Sequence, residues 1–425
     1  MKTFFILRLS WRNIWRNKVR SGVILGAIAI GLLAGTYLSA LMSGWVLGTV
    51  NSDINNFMSH VQIHDTAFVA NSDINAVFQK TTVQERIARS GIEATLACRL
   101  KMNGMLASAN NAIGIAVKGI DRDEEMKTTT LYRQIPDSLG AFFPDDARLP
   151  IFISGKTADK LKVRVKSKII FTFQDSRGDM QSLAFRVCGI FKTTNGMFDE
   201  STAFVRYADI FPTTGLPDGA AHEAAVLFSG LEASDALTPK IRELFPDMKV
   251  DDWTEMSPTL AMNMAFMDMM TLIFTGIFLF ALSFGIVNTM LMAVLERSRE
   301  LDMLGAIGMS RRKVFSMIMF ETLLLTFIGS IAGIILALAF LAPSVHSGLD
   351  LTPLMGEDFV DWGFGSVIYP VVNIKMFLQT IALVFAAGIL SAVYPAKKAL
   401  GDRRKALGNR RKALGDRRKA LVGSV

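Results

Sequence analysis

Ser154-Gly155-Lys156-Thr157 reads like the end of a phosphate-binding loop. That loop needs a glycine five residues before Gly155, so that backbone amides can wrap the phosphates. The position holds Pro150, which has no amide proton. No second nucleotide motif is present, so the chain is expected to bind no cofactor and to hydrolyse no ATP itself. His60 and His64 fall on one face of an expected strand with Gln62 between them. No further ligand stands nearby, so a surface or core role is expected and no metal site. No nucleophile–base set can be picked out by spacing, and no catalytic residue is assigned. Glu321 is an acid inside an apolar run. Ionisable groups there pair or face a polar interior, and a hydrogen bond to the N-terminal segment is expected ahead of proton transport.

The most informative stretch is LERSRELDMLGAIGMSRRKV, 295–314. Its first half is charged and helical. Leu301, Leu304 and Ile307 form an apolar edge, Gly305 and Gly308 mark a break, and Ser310 can cap the next helix. A short amphipathic helix of this kind can dock into a groove on a partner. A second cluster, Met256, Met262, Met264, Met267, Met269 and Met270, precedes it. Unbranched, polarisable side chains suit either a receptive apolar surface or the filling of an ordinary stalk.

These segments need a membrane to position them. The chain is 51% hydrophobic, with a mean hydropathy of +0.35. Four stretches exceed the roughly 20 apolar residues that a span requires: Ser21 to Ser52, Met269 to Leu295, Val314 to Leu349 and Met376 to Ala396. The first 20 residues carry +6, Glu296 to Lys313 carries +2 and Ala396 to Val425 carries +9, against +8 for the whole chain. Basic residues collect on the cytoplasmic side, so both termini and the 296–313 segment are expected inside. The basic excess lies in these flanks, which argues against nucleic acid as a partner. The first apolar run is too long for a cleaved signal peptide.

Residues 4 to 20 place Arg8, Arg12, Arg16 and Arg20 every four residues, with Phe4, Leu7, Trp11, Ile14 and Trp15 on the opposite stripe. That pattern predicts an amphipathic helix in the membrane interface, with membrane lipid as its partner. Gly22-x-x-x-Gly26 and Gly31-x-x-x-Gly35 predict close helix packing. Between the first two spans lies an external domain of mixed strands and helices, α+β and expected in two lobes. Strands are expected at 60–64, 112–120, 149–154, 168–173, 183–191, 202–207 and 224–229, and helices at 157–163 and 234–245. Asp175 to Gly178 should turn a hairpin. Cys98 and Cys188 both fall in this domain, where a disulfide and buried free thiols both remain open.

The expected order along the chain begins with an amphipathic helix at 1–20, a first span at 21–47, and the external domain at 48–262. A stalk and second span follow at 263–295, then the cytoplasmic segment at 296–313 and a third span at 314–341. A short outer loop at 342–373, a fourth span at 374–395 and a basic repeat tail at 396–425 complete it. The tail repeats KALGDRR-like heptads from Lys398; it suits either a flexible solvated tail or binding to anionic lipid or a partner protein.

Glu296-Arg-x-Arg-Glu300, Leu304-Gly-Ala-Ile-Gly308 and Ser310-Arg-Arg together resemble the signature of FtsX/MacB-type ABC permeases. So do Gly26-Ala-Ile-Ala-Ile-Gly31 near the N-terminus and Tyr394-Pro-Ala-Lys-Lys-Ala399 at the end of the fourth span. SHVQIH, VKGIDRDEE, ISGKTADKLKVRV and FRVCGIFKTTNGMFDES are similar, in order, to landmarks of the lipoprotein-releasing LolC/LolE group. Departures are Asp302 where the family usually has glycine, Lys166-Ser167-Lys168 in place of a Gly-Asp-Lys turn, and the repeat tail. The resemblance implies four transmembrane helices and a MacB/LolC-E type periplasmic domain in the bacterial inner membrane. It implies a non-catalytic permease paired with a second permease, alike or paralogous, and an ABC ATPase dimer that uses ATP and magnesium. It places ATPase coupling on Glu296, Arg297, Arg299, Glu300, Leu301, Leu304, Gly305, Ala306, Ile307 and Gly308. It places a substrate cavity at Met262, Met264, Met267, Met270, Phe274, Leu41 and Trp45. The implied cargo is a lipoprotein extracted from the outer leaflet. The alternatives are MacB-like export of peptides, toxins or drugs, and FtsX-like regulation of a cell-wall hydrolase.

Overall fold

The computed structural model describes residues 2–136, 138–307, 309–350, 353, 367–372, 374 and 377–398. Gly308, most of the expected outer loop and the heptads beyond Lys398 lie outside the described residues. The chain divides into a helical unit (Met1–Trp45, Ala265–Leu349, Ile368–Val425) and a sheet-bearing unit (Val46–Met264, Asp350–Val367).

Among the described residues, four helices are long and apolar enough to cross a membrane: Lys18–Met58, Pro258–Glu296, Arg311–Ser347 and Phe377–Lys398. Three of them outrun the spans expected from hydropathy. The second, at 39 residues, is about 58 Å long at 1.5 Å per residue, against a hydrocarbon core of roughly 30 Å. Their shared core joins Ile14, Ile24, Ile28 and Leu32 to Leu282, Ile286, Met317, Leu325 and Val384.

Glycine positions carry close helix contacts, although not the expected ones. A side-chain carbon at Gly329 would lie 2.8 Å from Ile28, and one at Gly333 would lie 2.9 Å from Leu32. The third helix therefore supplies the small residues and the first supplies the knobs. Gly31 and Gly35 make only ordinary contacts, and a carbon at Gly22 or Gly26 would meet nothing within 4 Å. The N-terminal stretch also differs from expectation. It is not one helix to residue 20: a helix Lys2–Arg16 ends before Asn17, and a new one starts at Lys18. The backbone amide of Arg20 donates to Asn17 Oδ1 at 3.3 Å, so Asn17 caps the second helix.

The sheet-bearing unit holds β1 (Val61–His64), β2 (Phe78–Gln79), β3 (Thr95–Ala107), β4 (Ala112–Ile120), β5 (Pro150–Ser154) and β6 (Lys168–Gln174). It continues with β7 (Met180–Phe191), β8 (Thr202–Arg206), β9 (Ala220–Ala221), β10 (Glu223–Leu227) and β11 (Lys249–Asp252). Nine strands run in the order β11-β1-β10-β3-β4-β8-β5-β7-β6, and β6 returns to pair with β3, while β2 pairs with β9. Six strands thus close into a barrel. Alternate residues of each, such as Leu100 and Met102, Phe171 and Phe173, or Ala203 and Val205, fill one core. Closure brings β6 against β3 at Gly104, where a side-chain carbon would sit 2.4 Å from the Thr172 carbonyl. The first half of β3 instead pairs with β10. That flank packs Val61, Ile63, Cys98 and Val226 against Val83, Ile87 and Ile241 of the helices Lys80–Ser90 and Leu231–Leu244. The β6–β7 hairpin turns through Gly178 at φ +92°.

Candidate functional site

An ionic cluster forms where the N-terminal helix, the start of the first span, the short helix Ser298–Ala306 and the third span meet. The N-terminal helix docks through Ser10 Oγ, which donates to the Met317 carbonyl at 3.1 Å, and through fully buried Ile14. Its apolar stripe is split: Ile14 turns inward, while Trp11 and Trp15 stay exposed and meet edge-on at 6.0 Å. Arg16, last in this helix, grips Glu300 with both arms of its guanidinium; Nη1 donates to Oε2 at 2.9 Å, and Nη2 donates to Oε1. Hydrogen bonding to Arg16 holds the Glu300 carboxyl below its ordinary range.

Glu321 is the buried centre of the cluster. Arg20 Nη2 donates to its Oε1 at 2.9 Å, and Arg297 Nη1 approaches the same oxygen at 3.4 Å. The Arg297 Nε also lies 3.8 Å from Glu300. Two carboxylates and three guanidiniums therefore tie four segments together. The acids of this network were visible in the sequence. Their partners Arg16 and Arg20 were visible only as a four-residue series assigned to one helix face, whereas the break at Asn17 separates them.

The short helix does not present Leu301, Leu304 and Ile307 as one outward edge. Leu301 is 8% exposed and joins the helical core, and Leu304 packs partly against it. The outward face carries Arg299, Asp302, Met303, Ala306 and Ile307, of which Met303 and Ile307 are 59% and 77% exposed. The three-residue spacing could not distinguish an inward from an outward apolar strip, because the N-terminal helix that meets this segment lies 284 residues away at Arg16–Glu300.

The expected cavity residues separate as well. Met262 and Phe274 are exposed, and Met267, Met270, Leu41 and Trp45 are half-buried. Met264 belongs instead to the sheet-bearing unit, in a packed cluster with Val50, Ile54, Met58 and Trp253.

Other candidates in that unit are structural. Ser154 Oγ accepts from the Thr157 amide at 3.1 Å and donates to the Asp199 carbonyl, so it caps a two-turn helix. Lys156 pairs with Glu200 at 3.3 Å. His60 accepts from the Phe228 amide, and His64 bonds to Gln62 and to the His222 carbonyl. Burial lowers the pKa of His60, His64 and His222. Cys98 and Cys188 are free thiols, pushed up to about 12 and about 11 by burial. Among the described residues no cluster of metal ligands forms.

A buried charge hub escaped sequence reasoning. Arg99 of β3, fully buried, pairs with Glu125 at 2.7 Å and Glu223 at 2.6 Å, and donates to the Phe57 carbonyl at 2.9 Å. Lys118 of β4 reaches Glu223 at 2.9 Å. Burial pulls Lys118 down to about 8 despite Glu223. Burial would raise Glu223, but Lys118 and Arg99 carry it well below its ordinary value.

Residues 272–402 match the family described as FtsX-like permease C-terminal. The macrolide export ATP-binding/permease protein MacB of Syntrophobacter fumaroxidans is 36% identical over 89 residues, covering 21% of this chain and 12% of that protein. MacB of Brucella abortus is 32% identical over 115 residues, 27% of this chain and 15% of that protein. The matches thus span only a small part of either relative's length. The periplasmic region of MacB from Actinobacillus actinomycetemcomitans aligns with 50% of this chain and 97% of that one, at 11% identity and a TM-score of 0.34.

Proposed function

We propose that this chain is a transmembrane permease subunit of an FtsX/MacB-type ABC transporter, driven by a partner ATPase. The observation that carries the reading is the ionic clamp at 296–321. Its residues Arg297, Glu300 and Glu321 lie inside the family match, Arg16 and Arg20 come from outside it, and together they fix the short helix to the N-terminal helix and third span. A helix held so firmly, with Arg299, Asp302, Met303, Ala306 and Ile307 outward, is a rigid handle for a nucleotide-driven partner. The charge partition supports a cytoplasmic side for this handle, both termini and the ATPase. A second permease completes the assembly.

Lipoprotein extraction from the outer leaflet is the first reading of cargo, resting on the order of landmarks shared with the LolC/LolE group. Withdrawing acyl chains costs about 0.8 kcal/mol per methylene, which calls for an energy source and an apolar receiving surface. The exposed Phe266, Met269 and Phe274 offer such a surface. Export of a periplasmic small molecule or peptide is the second reading, favoured by the macrolide exporters among the relatives. Reconstitution with the ATPase in proteoliposomes decides between them. ATP-dependent release of a triacylated lipoprotein supports the first, and macrolide-stimulated hydrolysis without release supports the second. If neither cargo alters hydrolysis while a cell-wall hydrolase does, transport is refuted.

A further inference from the structure

We infer that the cleft beside the clamp is a binding site for one anionic glycerophospholipid. Its cavity, of about 370 Å³, is lined by Arg16, Asn17, Lys18, Val19, Arg20, Glu296, Arg297 and Glu300. Four cations face two carboxylates there; with Glu321 counted, the group still keeps one positive charge. Lys18 forms no ion pair among the described residues. Arg20 has a side chain only 9% exposed, yet its buried Nε has no hydrogen-bond partner. The guanidiniums of Arg16, Arg20 and Arg297 line the cavity, and phosphate oxygens are the acceptors that guanidinium geometry fits best.

The surroundings select a lipid as the source of that phosphate. Trp11 and Trp15 are exposed on the adjoining helix, and indole rings settle at headgroup depth. An apolar track leaves the cavity along the first span. Val19, Gly22, Val23, Gly26 and Ile30 share one helix face, and Val19, Val23 and Ile30 are 79%, 58% and 64% exposed. Space stands open over Gly22 and Gly26, which turns the track into a shallow groove. The headgroup phosphate sits among Lys18, Arg20 and Arg297, and one acyl chain lies along the glycines. Such a lipid would brace the same corner that holds the short helix.

The test uses the full chain, purified in detergent, stripped of lipid and titrated with phosphatidylglycerol, phosphatidylcholine or glycerol 1-phosphate under native mass spectrometry. Phosphatidylglycerol is expected to bind at least tenfold tighter than phosphatidylcholine. Lys18→Gln should weaken phosphatidylglycerol about fivefold, the weight of one interfacial cation. Gly26→Leu, which fills the groove, should weaken the lipid and leave glycerol 1-phosphate unchanged. Equal affinity for the two lipids overturns the site. Glycerol 1-phosphate binding as tightly as phosphatidylglycerol overturns the acyl groove, as does an unaffected Gly26→Leu. Rapid disulfide dimerisation of Val23→Cys in membranes shows a second copy covering the track, and overturns the lipid as its occupant.

Discussion

Glu321→Ala is the sharpest perturbation available in the helical unit. The Glu321 side chain is 4% exposed, and the guanidiniums it holds, Arg20 and Arg297, are 9% and 16% exposed. Removing the acid leaves Arg20 without its carboxylate beside Arg297, which keeps only Glu300 at 3.8 Å. Breaking a buried pair in this way costs about 3–5 kcal/mol. At roughly 2–4 °C per kcal/mol, a 3 kcal/mol loss lowers the midpoint of thermal unfolding by about 6–12 °C. Arg297→Ala should cost about 1 kcal/mol, because Glu321 keeps its shorter bond to Arg20. Replacing all three together (Arg20→Met, Arg297→Met, Glu321→Leu) should recover most of the stability, since an apolar substitute removes the desolvation along with the attraction. Thermal unfolding in detergent, followed by tryptophan fluorescence, measures the series. A Glu321→Ala midpoint within 2 °C of the parent, or a triple variant less stable than the single, refutes the account of a buried ionic centre.

Met303→Asp and Ile307→Asp should leave the unfolding midpoint unchanged and reduce permease-dependent ATPase stimulation, because both side chains point outward. Leu301→Asp, buried in the helical core, should lower the midpoint itself by several degrees; the two readouts separate docking from folding. Gly333→Leu should destabilise by about 1–3 kcal/mol through overlap with Leu32. Gly22→Ala, in open space, should be neutral or stabilise by up to about 1 kcal/mol, checked in the same melts. The sheet-bearing unit should lose stability as pH falls below the ordinary histidine value of 6.5, since buried His64 and His222 resist protons that the unfolded chain accepts. His222→Gln should flatten that dependence between pH 7.5 and 5.5, read from melting midpoints.

Uncharged runs and flanking arginines made four spans legible, because the bilayer imposes length and polarity together. The strand expected at 168–173 was legible for a related reason: its buried and exposed residues alternate. Strand β3 was not. Thr95–Ala107 places Arg99, Lys101, Asn103 and Gly104 within thirteen residues, and the run Ala97 to Leu100 is buried on both faces. Arg99 is charged and yet fully buried, so hydropathy assigns it to the wrong side. Its partners Glu125 and Glu223 lie 26 and 124 residues away. The same limit hid the clamp, where Arg16 meets Glu300 across 284 residues. Spacing along a chain reports one helix or one strand; it does not report which distant element fills the other side.

Both buried ionic groups adjoin the first long helix, and their placement follows from what apolar packing cannot specify. Within the sheet-bearing unit, the end of that helix opens into a wider turn at Ile54–Met58. Asp53 accepts from Asn195 at 2.9 Å, Thr130 bonds to Asn55 and Asn56, Phe57 stacks on Phe198 at 3.8 Å, and Arg99 takes the Phe57 carbonyl. Within the helical unit, Arg20 near the start of the same helix binds Glu321. Leucine and isoleucine contacts between helices are non-directional, so apolar burial alone specifies register less sharply than a set of hydrogen bonds does. A buried guanidinium has no second solution: its donors are satisfied in one register only, and a shifted register leaves them unpaired at a cost of about 1–3 kcal/mol each. The two ionic groups therefore add, near the start and at the end of this helix, to the register that Ile28 and Leu32 set against Gly329 and Gly333.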